Sequence, residues 1–232
     1  MITTVMFDLD GTLLPMDYER FMKVYFSEIC KKLAPYGFEA QELIDGIWAG
    51  TGAMVKNDGN RANEVVFWEK FEKVLGERVR RVRSVIDDFY SHEFCEARSA
   101  CGFSQPLVDL VRDLKKAGYR IVLATNPIFP SIATESRIRW AGFDPSDFEL
   151  ITTYENIGCS KPNPEYYREL LRRLNVPADE TIMIGNDVDE DMISESVGMQ
   201  VYLLTDCLLN KSGKPIDAYP HGGVDGIRDL LL

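Results

Sequence analysis

Short apolar runs alternate along this chain with longer segments in which apolar residues recur every three or four positions. The short runs have the length and the β-branched content of buried strands. The longer segments have the spacing of amphipathic helices, as in residues 106–118, where the apolar stripe stops at Gly118. Strands that alternate with helices are typical of a parallel sheet, so the pattern predicts an α/β fold. The five predicted strands are residues 2–7, 120–124, 148–152, 181–184 and 200–204.

Roughly ninety residues between the first strand and the helix at Pro106 show no strand pattern, and ordinary strand-to-helix connections are far shorter. Apolar residues recur in this segment at helical spacing, for example at Phe21 and Tyr25, and predict a helical bundle. We expect loops at residues 50–52 and 57–60 to interrupt that bundle. The predicted domains are an α/β core of residues 1–14 and 106–232 and an α-helical insertion of residues 15–105.

The composition limits which binding partners and which cellular compartment we expect for this protein. The 26 basic and 37 acidic residues give a formal charge of −11, which argues against a general affinity for nucleic acid or acidic membranes. The five cysteines are scattered and argue against a disulfide framework or a structural zinc site. We see no signal-peptide pattern and no apolar run of membrane-spanning length, so we expect a cytoplasmic protein. Its oligomeric state is left open.

Two carboxylates follow the first predicted strand directly. Asp8 and Asp10 are two residues apart beyond the strand end and can reach one site, while Gly11 allows the backbone to turn tightly beneath them. Such a pair suits acid–base or nucleophilic chemistry. The alternative is an acidic turn that caps the next helix.

Three further segments carry candidate chemistry. Thr125 and Asn126 end the second predicted strand and offer a hydroxyl and an amide to an anion, or else cap a helix. Lys161 stands just before a predicted helix and is either a fixed cation or one more surface lysine. The third segment, 185–191, contains four acids in five residues, which a divalent cation would make tolerable. Without a cation, this segment would be a solvated acidic loop at a helix start.

These motifs resemble those of the haloacid dehalogenase-like superfamily, whose phosphatase members carry a DxDGT motif. In this chain that motif is Asp8-Leu9-Asp10-Gly11-Thr12, and the others are the Thr125–Asn126 pair, the KPxPxxY pattern that starts at Lys161, and the acidic segment. They occur in the family's order and cover the whole predicted core. Asn186 departs from the family pattern, which often has an aspartate there, so we assign Asp187 and Asp191 to the metal and leave Asp189 and Glu190 undecided.

The resemblance implies a Rossmann-like parallel sheet with the first strand at its centre and all motifs at one edge. It also implies Mg²⁺ as cofactor, with Asp8, Asp10, Asp187 and Asp191 as the metal-site residues and the main-chain carbonyl contributing at Asp10. Asp8 would be the nucleophile and Asp10 the general acid and base. Lys161 would be catalytic and, with Thr125 and Asn126, would bind the phosphoryl group of the substrate.

The insertion matches in position the helical cap that the family places after its first motif. We therefore expect the cap to select a small phosphorylated metabolite, with hinges near Pro15 and residues 101–105. The polar run of Lys56, Asn57, Asn60 and Arg61 is a candidate for that selection. The sequence predicts a phosphatase; the alternatives are a phosphomutase and, from another class, a non-catalytic binding protein on this fold. A phosphomutase would have the same core residues and would differ only in its cap.

Overall fold

A six-stranded parallel sheet forms the centre of the computed structural model, which describes residues 1–232. The strand order is β3-β2-β1-β4-β5-β6, so the first strand has the second and fourth strands on either side, as predicted. This confirms the α/β, Rossmann-like fold class. The strands are β1 (Thr4–Phe7), β2 (Arg120–Leu123), β3 (Leu150–Ile151), β4 (Thr181–Gly185), β5 (Gln200–Leu204) and β6 (His221–Gly222).

Apolar residues cover both faces of the sheet, because successive residues of each strand point to opposite sides. Val5 and Phe7 of β1 belong to a large apolar cluster on one face, whereas Met6 packs on the other face against Tyr166 and Tyr167. The large cluster extends without a break into the insertion, for example to Phe94. The sheet and the insertion therefore share one continuous apolar core.

Eight helices surround the sheet and form the insertion. Residues between β1 and the fifth helix contain no strand, which agrees with the helical character predicted for the insertion, while the domain boundaries stay a prediction. None of these helices combines the length and the apolar character that crossing a bilayer requires. The helices are α1 (Tyr18–Leu33), α2 (Ala40–Val55), α3 (Asn63–Leu75), α4 (Arg83–Ser91), α5 (Gln105–Lys116), α6 (Ser131–Trp140), α7 (Pro164–Leu174) and α8 (Val224–Leu231).

The predicted interruption at residues 50–52 is wrong, because these residues lie inside α2. Gly50 is buried where α2 crosses α3, and a Cβ built on it would lie 2.5 Å from the Phe67 ring. The glycine therefore serves close helix packing rather than a turn. The second predicted loop, residues 57–60, is confirmed as irregular.

Residues 206–223, near the chain end, are mostly irregular. They contain β6, a two-residue strand that pairs with β5 through Leu203 and His221. A short edge strand of this kind has almost no hydrophobic pattern, so the sequence did not indicate it.

Two sets of contacts hold the insertion in place: one pairs its two ends with each other, and the other joins it to the core. At its ends, Met16 and Cys101 form an antiparallel bridge, and the Gly102 N–H donates to the Pro15 carbonyl at 2.7 Å. On the far side, the fully buried Asn63 side chain donates to the Pro127 carbonyl at 3.1 Å and to the Ser160 hydroxyl at 2.9 Å. We call this second set the Asn63 clamp.

Candidate active site

The carboxyl ends of three neighbouring strands bring the predicted site residues to one edge of the sheet. Asp8 follows β1, Thr125 lies two residues beyond β2, and Asp187 lies two residues beyond β4. Lys161 enters from the loop before α7. Open parallel sheets generally bind ligands at this edge, where the strand order changes direction.

Asp8 is almost completely buried, with 7% of its surface exposed. Its Oδ1 accepts a hydrogen bond from Lys161 Nζ at 2.9 Å, and its Oδ2 accepts one from the Thr12 hydroxyl at 3.3 Å. Thr12 is also 3.0 Å from Asn186 Oδ1. The carboxylate is therefore held in one orientation from two sides.

Lys161 is fully buried and forms ion pairs with two carboxylates, at 2.9 Å to Asp8 and 2.6 Å to Asp191. Burial alone would lower the pKa of Lys161, but Asp191 and Asp8 more than offset it and hold the pKa well above its usual value. Burial raises the pKa of Asp191 to about 7, although the Lys161 ammonium opposes this rise. Lys161 is therefore a fixed cation beside Asp8.

Asp10 has a cationic partner that the sequence did not indicate. The Arg137 guanidinium of α6, 1% exposed, pairs with Asp10 Oδ2 and stacks 4.5 Å from the centre of the Phe129 ring. The other oxygen, Asp10 Oδ1, is buried without a hydrogen-bond partner. Burial raises the pKa of Asp10, while Arg137 opposes that rise. One oxygen is thus held by Arg137, and the other has no protein partner.

Hydrogen-bond donors and acceptors without protein partners surround the carboxylates. The main-chain N–H groups of Leu9, Asp10 and Asn126 donate to no protein acceptor, and the buried Oδ1 of Asn126 is also unpaired. The Asn126 amide donates to Glu190 at 2.9 Å, and burial raises the pKa of Glu190 to about 7. The Thr125 carbonyl accepts from neighbouring hydroxyl groups and fixes its own loop. Unpaired N–H groups of this kind suit phosphoryl oxygens.

The residues at this edge fit a magnesium ion. Asp187 uses Oδ1 to accept two main-chain N–H groups and leaves Oδ2 without a protein partner. Both oxygens of Asp191 are engaged, by Lys161 and by the Asp187 N–H. No three acidic, histidine or cysteine residues lie close enough to form a metal cluster by themselves. Mg²⁺ commonly takes one or two carboxylates and completes its shell with water and phosphate, so Asp8 and Asp187 would be enough carboxylate ligands for it.

Asp191 and Asp189 differ in what they contact. Because its oxygens are already used, Asp191 orients Lys161 and the Asp187 loop rather than offering a free ligand atom. Asp189 faces away from the site, since it accepts from the Ser212 N–H and pairs with Lys214 at 2.9 Å. The placement of Asp191 as a direct metal ligand stays a prediction.

Two glycines allow the motif loops to approach each other. Gly11 has a φ of 88°, which favours glycine, and an added Cβ would lie 2.3 Å from the Asn186 amide. A Cβ on Gly185 would lie 2.1 Å from Asp191 Oδ2. The acidic loop can therefore reach Lys161 only because both positions lack a side chain.

A cavity opens above Asp8 and Asp10 and extends between the sheet edge and the helices of the insertion. The polar run of Lys56, Asn57, Asn60 and Arg61 does not line it, and Lys56, Asn60 and Arg61 are exposed, so the structure does not support this run as a candidate for substrate selection. Asn57 instead bonds to the Arg61 carbonyl and to Asn63, which supports the Asn63 clamp.

The chain belongs to the haloacid dehalogenase-like hydrolases, because that family's model matches residues 2–194. It is 24% identical to a phosphoglycolate phosphatase of Colwellia psychrerythraea, over 98% of this chain and 95% of that protein. It is 26% identical to a glyceraldehyde 3-phosphate phosphatase of Methanothermobacter thermautotrophicus, over 88% and 86%. The family predicted from the sequence is confirmed, and so is the enzyme class of phosphatase-type hydrolase.

Solved structures show the same fold. A 2-haloacid dehalogenase of Pseudomonas syringae pv. Tomato matches with a TM-score of 0.65 and 18% identity, over 100% of this chain and 98% of that one. A phosphatase of this family from Thermococcus onnurineus matches with a TM-score of 0.61 and 18% identity, over 99% and 98%. At such low identity these likenesses concern the fold alone.

Proposed function

We propose that this protein is a magnesium-dependent phosphatase that hydrolyses a small phosphate monoester through an aspartyl-phosphate on Asp8. The observation that carries the proposal is the pairing of a fixed, buried Asp8 carboxylate with a second carboxyl group, Asp10, which has one unpaired oxygen. A halide leaves without a proton, whereas an alkoxide requires a positioned acid, so Asp10 favours phosphate esters over haloacids. We further propose that the enzyme is cytoplasmic and that its ligand is a small phosphorylated metabolite.

In the proposed first half-reaction, the Asp8 carboxylate attacks phosphorus and the ester P–O bond breaks. Asp10, whose pKa is raised by burial, donates its proton from Oδ1 to the departing oxygen. In the second half-reaction, Asp10 takes a proton from water, and that water attacks the phosphorus and releases Asp8. Lys161, Thr125 and Asn126 orient the phosphoryl group, together with the free N–H groups of the loop.

Asp8 and a phosphate oxygen repel each other by roughly 4 kcal/mol per pair of unit charges about 4 Å apart at an effective dielectric near 20. Lys161 offsets part of this repulsion. The Asp8 and Asp187 carboxylates and the Asp10 carbonyl would hold Mg²⁺, which would neutralise the rest of the charge on the transferring group. Asp191 would act by holding Lys161 and the Asp187 loop in place.

Substitution of the nucleophile tests this proposal. We expect Asp8→Asn to abolish release of inorganic phosphate from p-nitrophenyl phosphate in the presence of Mg²⁺ and to leave the circular dichroism spectrum unchanged. Asp17→Asn is a matched control, because Asp17 only caps α1 at 3.0 Å and lies outside the cavity lining. Metal-dependent hydrolysis that persists in Asp8→Asn would refute the assignment. Phosphate transfer to a sugar without release to water would instead indicate a phosphomutase.

A further inference from the structure

The walls of the cavity above Asp8 are mainly apolar, since every residue that the insertion contributes to the lining except Thr51 has a hydrophobic side chain. Its floor is the acidic sheet edge, and its walls come mainly from α1, α2, α3 and α4 of the insertion. Nine aromatic side chains of the insertion supply much of this wall, among them Tyr25, Trp48, Phe67, Trp68, Phe71 and Tyr90. The leaving group of a phosphate ester bound at Asp8 would lie against this wall.

The polar atoms of the aromatic wall include one bonded pair of hydroxyl groups and one buried donor without a partner, the Nε1–H of Trp68. The hydroxyl groups of Tyr25 and Tyr90 bond to each other at 3.0 Å. Burial raises the pKa of Tyr25 to about 12, so this hydroxyl is neutral at physiological pH. The helices of the insertion therefore offer no charged side chain to the cavity, and the unpaired polar atom of this wall, the Trp68 N–H, can serve one neutral acceptor.

Every lysine and arginine of the insertion lies outside the cavity lining. Arg83 stacks 4.7 Å from the Trp68 ring and pairs with Glu64, and Arg61 pairs with Glu69 at 2.7 Å. The single basic residue of the lining is Lys211, which comes from the core and lies 5.9 Å from the Tyr18 ring. The insertion thus provides no cation for a second anionic group on the substrate.

A carboxylate or second phosphate buried against these helices would lose its hydration without gaining a cation from the insertion, which is strongly unfavourable. The basic side chain of the lining, Lys211 of the core, is exposed. Apolar surface buried there contributes about 25 cal/mol per Å². We propose that the substrate is the phosphate monoester of a neutral, largely apolar alcohol, such as an aromatic one. This inference rests on the proposed function and narrows it. The proposed substrate also differs from phosphoglycolate, which is named for the phosphatase that this chain resembles, because phosphoglycolate carries a carboxylate.

Three phosphate esters with primary alkyl leaving groups test the inference: 2-phenylethyl phosphate, 2-phosphoglycolate and glycerol 3-phosphate. With wild-type enzyme and Mg²⁺, we expect kcat/KM for 2-phenylethyl phosphate to exceed that for each of the other two by roughly tenfold or more. Equal or better hydrolysis of 2-phosphoglycolate would overturn the inference and leave the proposed phosphatase activity standing.

A cation placed in the wall provides a second test. Thr51 lines the cavity from α2, so Thr51→Lys should raise kcat/KM for 2-phosphoglycolate relative to 2-phenylethyl phosphate by roughly tenfold. Gln41→Lys adds the same charge to an exposed position of the same helix and should leave that ratio unchanged. The inference would also be overturned if both variants shifted the ratio equally.

Binding separates a failure of the inference from a failure of the proposed function. Trp48 and Trp68 line the cavity and Trp140, the third tryptophan, does not, so their fluorescence reports occupancy without turnover. We expect 2-phenylethyl phosphate to quench this fluorescence at a concentration at least tenfold lower than 2-phosphoglycolate. If no ester were hydrolysed, the proposed function would fail, yet this binding preference would still support an apolar ligand. Tighter binding of 2-phosphoglycolate would overturn the inference.

Discussion

Two arginines of α6, two positions apart, have opposite environments. Arg137 is buried against Asp10 and Phe129, whereas Arg139 is exposed and pairs with Glu135 at 2.9 Å. Asp10 is the proposed proton donor, so the residue that fixes its Oδ2 decides where the free Oδ1 lies. Arg137 is therefore a positioning residue, which acts on the reaction through Asp10.

Replacement of Arg137 should slow turnover more than it weakens binding. We expect Arg137→Met to lower kcat roughly 10- to 100-fold with less than about a threefold change in KM, because general acid–base catalysis contributes on this order. Arg137→Lys should restore part of the rate. Arg139→Met is the matched control and should behave as wild type in the same steady-state assay. An unchanged kcat in Arg137→Met would show that Asp10 needs no partner.

The sequence could predict the residues that stand in motifs but not Arg137. Asp8, Thr125 and Asp187 follow strands directly, and the ends of parallel strands meet at one edge, so their proximity could be inferred without coordinates. Arg137 lies on a helix whose buried residues include a threonine as well as an arginine, so no apolar stripe marks its buried face. From the sequence alone, an arginine in such a segment is expected to be exposed, and only the structure shows that Arg137 is paired with Asp10.

At the scale of elements, α2 and α3 form the closest helix pair of the insertion, and Gly50 marks their crossing. The Phe67 ring of α3 occupies the space that a Cβ on Gly50 would need, and it stacks on Phe71 with ring centres 5.3 Å apart. The sequence predicts a loop at this glycine, because the residue type alone does not distinguish a glycine at a helix crossing from a glycine in a turn. Only the packing partner distinguishes them.

Two alanine substitutions in α2 should have different effects. Gly52 has no atom within 4 Å of an added Cβ, so Gly52→Ala should raise the free energy of unfolding by about 1 kcal/mol through helix propensity. Gly50→Ala gains the same propensity but must displace Phe67, and we expect it to be less stable than Gly52→Ala by about 1–2 kcal/mol. Urea unfolding measures both values. Equal free energies of unfolding for the two variants would show that α3 can move away from α2 without loss of stability.

The Asn63 clamp joins the first turn of α3 to two loops of the core. Asn63→Ala would leave the Pro127 carbonyl and the Ser160 hydroxyl buried without their donor, which costs on the order of 1–3 kcal/mol. We expect a lower melting temperature and faster amide hydrogen exchange in α3 than in β1. Asn60→Ala removes only a bond to Asp58 on the surface, so its exchange pattern should match wild type. Uniform exchange changes across the sheet would instead indicate global destabilisation.

At the scale of the whole molecule, the net charge of −11 disfavours the binding of an anionic substrate, which the proposed function requires. A phosphate ester approaches a chain that repels it, and the sheet edge adds the carboxylates of Asp8, Asp10, Asp187 and Asp191. Two buried cations, Lys161 and Arg137, offset part of this negative charge where the substrate would react. The remaining negative charge at this edge makes a divalent cation the natural counter-charge.

Magnesium should therefore stabilise the fold as well as permit turnover. A ligand that binds only the folded state raises the free energy of unfolding by about 2.7 kcal/mol when its free concentration is roughly a hundred times its dissociation constant. We expect Mg²⁺ to raise the melting temperature of the wild-type protein, and EDTA to reverse that rise and abolish phosphatase activity.

Two asparagine substitutions in the acidic loop locate the ion. Asp187→Asn keeps an oxygen to accept the Asp189 and Glu190 N–H groups but removes the free carboxylate oxygen. It should melt no lower than wild type in EDTA, because it relieves repulsion at the sheet edge, and it should lose most of the Mg²⁺-dependent rise. Asp189→Asn is the matched control, since Asp189 contacts Ser212 and Lys214 outside the site, and it should keep the full rise. If Asp189→Asn lost the Mg²⁺-dependent rise in melting temperature and Asp187→Asn kept it, the proposed metal site would be wrong. Asp189, and not Asp187, would then be the metal ligand.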